Sequence, residues 1–135
     1  MQAVKTVLKD TGIAIEKRLD EALDELLASM AGPAQQQPSA EILVRLRTCS
    51  NDVRDMAGLV DRHLLTETAT FLSDVLDAMV FEGRRIDAPE ALVFATALRF
   101  ARLDAQRGIT LAPYSELLGQ LKDLTNHLLS RPVTA

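Results

Sequence analysis

Ile42, Leu46, Cys49, Val53, Met56 and Val60 step along the chain by four, three, four, three and four residues. Only an α-helix places all six on one continuous seam. A repeat of about 3.5 residues is the period of two helices packed side by side. A strand needs a period of two, and no such alternation persists in this chain. Hairpin dipeptides such as Asn-Gly and Asp-Gly do not occur.

The same helical periodicity recurs before and after the seam. From about residue 3 to 31, Val4, Leu8, Ile15, Leu19, Leu23, Leu26 and Met30 recur at three- and four-residue spacings. Glu16, Lys17, Arg18, Asp20, Glu21, Asp24 and Glu25 supply the wet side of this first helix. Gly12 is a candidate bend, because an interior glycine costs about 1 kcal/mol relative to alanine. Gly32 and Pro33 end the helix, and AQQQP (34–38) reads as a polar linker. Ser39 is the expected N-cap of the second helix. That helix ends somewhere between Gly58 and His63.

A third helix is expected over 63–82, with Leu65, Leu72, Val75, Leu76 and Met79 inward and Gly83 as its stop. Asp87 and Glu90 form a capping-box pattern for a fourth helix over 88–107. Its inward side is read as Leu92, Ala95, Leu98 and the stem of Arg102, overlapped by Phe94 and Ala101, with Gly108 as its end. A fifth helix over 113–130 turns Tyr114, Leu117, Leu118, Leu121, Leu124 and Leu128 inward, and Arg131 and Pro132 stop it. The expected fold is all-α: an up-and-down four-helix bundle with an additional or extended N-terminal helix, five helices in all. The chain reads as a single domain, 1–135. Within it, 1–31 is the N-terminal helix, 32–38 the linker and 39–131 the bundle core.

Composition narrows the function classes. The chain has 135 residues, enough for one core, and is 47% hydrophobic and 25% charged. A net charge of −4 argues against general nucleic-acid binding, which needs a basic footprint. No apolar run approaches the roughly 18 residues of a membrane span. MQAVKTVLKD contains no signal-peptide apolar block, so a soluble cytoplasmic protein without membrane contact is expected. The single cysteine, Cys49, lies on the apolar seam and reads as core.

Catalytic signatures are thin. His63 and His127 have no HExxH-type spacing, and the six glycines form no phosphate loop. The acids of the first helix interleave with Lys17 and Arg18, as on an ordinary solvated face. Arg84 and Arg85 read as a solvated turn or an anion contact. No enzyme activity, metal site or cofactor is expected.

The stretch NDVRDMAGL (51–59) carries a second pattern. Arg47, Asn51, Arg54 and Gly58 fall on one stripe of the second helix, opposite the seam, flanked by Thr48 and Asp55. Two readings are open: a docking surface, or the solvated side of a helix on which Gly58 relieves crowding or marks the helix end.

Residues 51–77, NDVRDMAGLVDRHLLTETATFLSDVLD, resemble the phosphate-accepting segment of histidine phosphotransfer domains, especially the N-terminal domain of chemotaxis histidine kinases. The resemblance extends over about 42–108. In this alignment Asn51 takes the place of the family's histidine, Arg54 that of its lysine and Asp55 that of its first glycine. Ala57 and Gly58 match a later Ala-Gly. Leu72, Val75, Leu76 and Asp77 match the end of the third helix.

The resemblance implies docking to a receiver domain, a histidine kinase or another regulatory protein through Arg47, Thr48, Asn51, Arg54, Asp55 and Gly58. It also implies loss of phosphoryl transfer, because the Asn51 amide nitrogen is delocalised into its carbonyl and is no nucleophile. Arg54 keeps a positive charge, whereas a carboxylate at Asp55 repels phosphate and the acidic pocket of a receiver. Two alternatives stand beside this reading. One is phosphotransfer through His63. The other is oligomerisation, with a homodimer formed through 1–31.

Overall fold

A computed structural model describes residues 2–30, 39–103 and 111–131, with side chains from residue 11 onward. It contains five α-helices: α1 (Gln2–Met30), α2 (Ala40–Leu59), α3 (His63–Glu82), α4 (Ala88–Leu103) and α5 (Ser115–Ser130). A single 3-10 turn at Ala112–Tyr114 leads into α5. No strand occurs among the described residues. The chain is an all-α helical bundle. The stop at Gly32 and Pro33, the 34–38 linker, the end of the fourth helix at 104–108, and the side chains of Val4 and Leu8 lie outside what is described.

Local chemistry sets the helix ends. The Ser39 hydroxyl accepts from the Ile42 N–H at 3.2 Å, closing the start of α2. Asp61, at φ 59°, takes the left-handed position after α2 that glycine usually fills. The Arg62 N–H then reaches back to the Ala57 carbonyl at 2.8 Å, and the Asp61 N–H to that of Gly58 at 3.4 Å. An aspartate standing where a glycine is expected is why the sequence pattern leaves this boundary open. Gly83 ends α3 at φ 70°. The Asp87–Glu90 capping box forms both of its bonds, each 2.9 Å.

Successive helices run in opposite directions. α1 packs on α2, α2 on α3 and α3 on α4, while α5 lies along α3. The core begins in α1, where Leu19, Leu23 and Leu26 are at most 1% exposed. Ala22 faces Cys49, whose thiol donates to the Ala22 carbonyl at 3.0 Å. In this register the first turns of α1 run past the end of α2, because its 29 residues span ~43 Å against ~30 Å for a 20-residue helix. The helix is uninterrupted through Gly12, which has open space around it.

Two expected inward positions face out. Ile42, in the first turn of α2, is exposed, and Leu92 of α4 is 59% exposed. The other expected inward apolar residues of α4, Phe94, Ala95, Leu98 and Ala101, are buried, together with Ala97. The helix carries apolar residues on both sides, so periodicity alone does not choose between them.

Interhelical ties complete the frame. Arg62 is buried, and its Nη2 donates to the Arg102 carbonyl at the end of α4 at 2.6 Å. The Arg102 guanidinium in turn pairs with Asp24 of α1 at 2.6 Å and approaches Asp20 at 3.7 Å. Arg84 donates to the Arg131 carbonyl and pairs with Glu82 at 3.1 Å, which holds the end of α5 beside the end of α3. Arg84 is therefore committed within the fold.

Candidate functional site on the α2 and α3 face

The α2–α3 register decides which side chains share the face. Ser50 and Ser73, both at most 1% exposed, hydrogen-bond through their hydroxyls at 2.8 Å, and the Ser50 hydroxyl also lies 3.3 Å from the Ala69 carbonyl. These small residues let the two helices approach closely. Near one end of the pair Arg47 meets Asp77. Near the other, a Cβ added to Gly58 would sit 3.9 Å from the Thr66 hydroxyl. The stripe of Arg47, Asn51, Arg54 and Gly58 thus runs antiparallel to a stripe of α3 holding Thr66, Thr70, Asp74, Asp77 and Phe81.

Arg47 is doubly held. Its Nε lies 2.5 Å from Asp77 Oδ1, and its guanidinium carbon lies 5.0 Å from the centroid of the Phe81 ring. Phe81 is itself 70% exposed, a large apolar surface at the rim of the face. Val44, one turn before Arg47 on α2, is also exposed. Helical periodicity alone points to neither residue. The available signal was the i, i+4 spacing of Asp77 and Phe81, which puts both on one side of α3.

Arg54 pairs with its neighbour Asp55 at 3.0 Å. Its charge also reaches Asp74, whose carboxyl is held above its ordinary range by burial and by Asp77, with Arg54 pulling it partly back. The expected positive character of Arg54 is therefore balanced by carboxylates on both helices.

Asn51 is half-buried, and its Oδ1 is enclosed without a hydrogen-bond partner among the described residues. It sits between the two arginine turns and offers no nucleophile. Thr48 and Asp55 are exposed on the other flank, toward α1. There an open groove of about 450 Å³ is lined by Arg18, Glu21, Glu25, Asp52, Asp55 and Met56. Four carboxylates against one guanidinium make this flank unfavourable for phosphate.

Cys49 is buried beneath the same flank. Desolvation, and then the nearby Glu25 and Asp52 carboxylates, push its thiol up to about 11. A thiol so raised is a poor nucleophile at neutral pH. His63 is exposed as the first residue of α3. By helical spacing it lies on the Thr70–Asp74–Asp77 side, roughly 15 Å along the axis from the level of Asn51.

Among the described residues, no group of three or more His, Cys, Asp and Glu side chains is placed to hold a metal ion. No helix of the described residues is long and apolar enough to cross a membrane. Compared against protein-family models, curated proteins and solved structures, the chain matches none of them.

Proposed function

We propose that this chain is a non-enzymatic adaptor bundle that presents the α2–α3 face to a regulatory protein, with a receiver domain or a histidine kinase as the first candidates. The observation that carries this reading is the Arg47–Asp77–Phe81 cluster beside Asn51. An exposed aromatic ring with a guanidinium stacked on it is the kind of anchor that dominates protein interfaces. The ion pair fixes its geometry before any partner arrives, which lowers the ordering cost of binding. The position that a phosphotransfer domain gives to its acceptor histidine is filled here by an amide. The face is therefore suited to docking and not to accepting a phosphoryl group.

The test is titration of the full chain with candidate receiver domains and kinases, comparing wild type with Arg54→Glu and Phe81→Ala. Saturable binding weakened by either substitution supports the reading. Absence of binding by wild type to every candidate overturns it.

The exposed imidazole of His63 favours one second reading, in which phosphoryl transfer runs through that residue. Incubation with a phosphorylated receiver or kinase would then leave an acid-labile label that disappears in His63→Ala. A label that survives the substitution excludes this second reading.

A further inference from the structure

We infer that α5 is a latched strap, which opens from α3 as one unit while the other four helices stay packed, and that Arg84, Glu90 and Arg131 form its latch.

The side of α5 that meets the core is thin. Three of its sixteen residues, Leu121, Thr125 and Leu128, are buried. α4, of the same length, buries five, and α3 buries ten of its twenty. Leu117, Leu118 and Leu124 rest on the core half-buried. The packing partners differ as well. α2 packs between α1 and α3, and α4 against α3 and α1, whereas α5 lies along α3. Lifting α5 therefore leaves the α1–α2, α2–α3 and α3–α4 contacts in place. An element with few buried apolar contacts opens at a lower free energy than the core it rests on.

Once released, α5 has little of its own to keep it helical. Tyr114, at its N-cap position, makes no side-chain capping bond. Gly119 lies in the helix interior, where glycine is less favourable than alanine. A free helix of sixteen residues is marginal in water. The hydroxyls of Thr125 and Ser130 donate back within α5, to the Leu121 and His127 carbonyls, and so tie it to no neighbour. Opening is thus a local unfolding of the whole segment, and closing refolds it on α3.

A cluster of ties stands where α5 ends. Arg131 binds the Glu90 carboxylate of α4 through both Nη1 and Nη2, and its Nη1 lies 3.5 Å from the Arg85 carbonyl. Arg84, just past α3, donates to the Arg131 carbonyl and pairs with Glu82 at 3.1 Å. One residue therefore fastens α5 to both α3 and α4. Its side chain is 37% exposed, so water can compete for the guanidinium without entry to the core. Opening uncovers the side of α3 on which α5 lies. It leaves Arg47, Asn51 and Asp77 in register, because the Ser50–Ser73 contact between α2 and α3 is untouched. The strap is therefore independent of the docking reading.

Hydrogen exchange on the isotope-labelled full chain, followed amide by amide from zero to low urea, tests the proposal. The amides of Leu121, Thr125 and Leu128 should exchange together. Their protection should be at least roughly tenfold below that of Leu72, Val75 and Leu76 in α3, with a shallower urea dependence, because opening exposes less surface than global unfolding. Arg131→Gln should lower the protection of α5 by roughly tenfold. Gly119→Ala, at a position with open space around the added Cβ, should raise it severalfold. This second variant keeps the test valid if Arg131→Gln fails to fold. Asp24→Ala breaks a tie between α1 and α4 that opening leaves intact, so α5 protection should not change. Protection and urea dependence of α5 equal to those of α3 overturn the proposal. So does an Asp24→Ala effect on α5 as large as that of Arg131→Gln, since α5 would then open only with the whole bundle. Unchanged α5 protection in Arg131→Gln overturns the latch.

Discussion

Glu90 and Arg131 bind each other across the start of α4 and the end of α5. Glu90 Oε1 accepts from Arg131 Nη1 at 3.1 Å and from the Asp87 N–H at 2.9 Å, while Oε2 accepts from Arg131 Nη2. One carboxylate therefore caps a helix and clamps a second one, with its side chain only 13% exposed.

Replacing that carboxylate should be costly. Glu90→Ala removes half of a capping box and a charge-assisted pair, so a loss of about 2 kcal/mol is expected in urea unfolding at pH 7. Glu90→Gln should fall between the variant and wild type. A change within experimental error for Glu90→Ala would show that the clamp contributes nothing.

The same group sets an acid limb. The Arg131 hydrogen bonds hold Glu90 below its ordinary carboxylate range. Its folded value then lies beneath its unfolded value, so its contribution is present above the unfolded value, about 4.3, and is lost as pH falls through the lower folded value. Stability of wild type and Glu90→Gln should differ at pH 7 and converge in strong acid. A gap that widens on acidification would contradict the assignment.

Asp74 has the opposite sign. Burial and Asp77 raise its carboxyl, so the charged form is less favoured in the folded chain than in the unfolded one. Acidification through that range should relieve the strain. Asp74→Asn should stabilise the protein at pH 7, by only a few tenths of a kcal/mol because the burial is partial and the residue remains exposed to screening. Thermal unfolding of the two proteins at low salt would detect it, and a destabilised variant would contradict it.

Cys49 should be silent in the folded chain. With its thiol raised to about 11 by burial and neighbouring carboxylates, alkylation at pH 8 should run more than about a hundredfold slower than in the urea-unfolded chain. Equal rates in both states would mean that the site opens freely.

Much of this fold is legible in the sequence because its signals are local. The Asp87–Glu90 box, the Ser39 cap and the Gly83 stop each involve residues within a few positions of one another. The seam through Leu46, Cys49 and Val53 is read from spacing alone. What escapes has partners far along the chain. Arg62 is buried because a carbonyl 40 positions away accepts from it, and Ser50 because Ser73 lies opposite. Leu92 and Phe94 cannot be told apart by hydropathy on a helix that is apolar on both sides. At the candidate site, helical spacing groups Arg47, Asn51, Arg54 and Gly58. It does not reveal that Asp77 and Phe81 complete the face, because that depends on the register of a second helix.

The most direct measurement of the central claim is mapping of backbone amide shifts on the isotope-labelled chain during titration with a bound receiver domain or kinase. Docking through the α2–α3 face predicts perturbations concentrated at Arg47, Asn51, Arg54, Gly58, Asp77 and Phe81, with those of α5 unchanged. Saturable binding whose perturbations fall elsewhere and leave these six residues unmoved would contradict it.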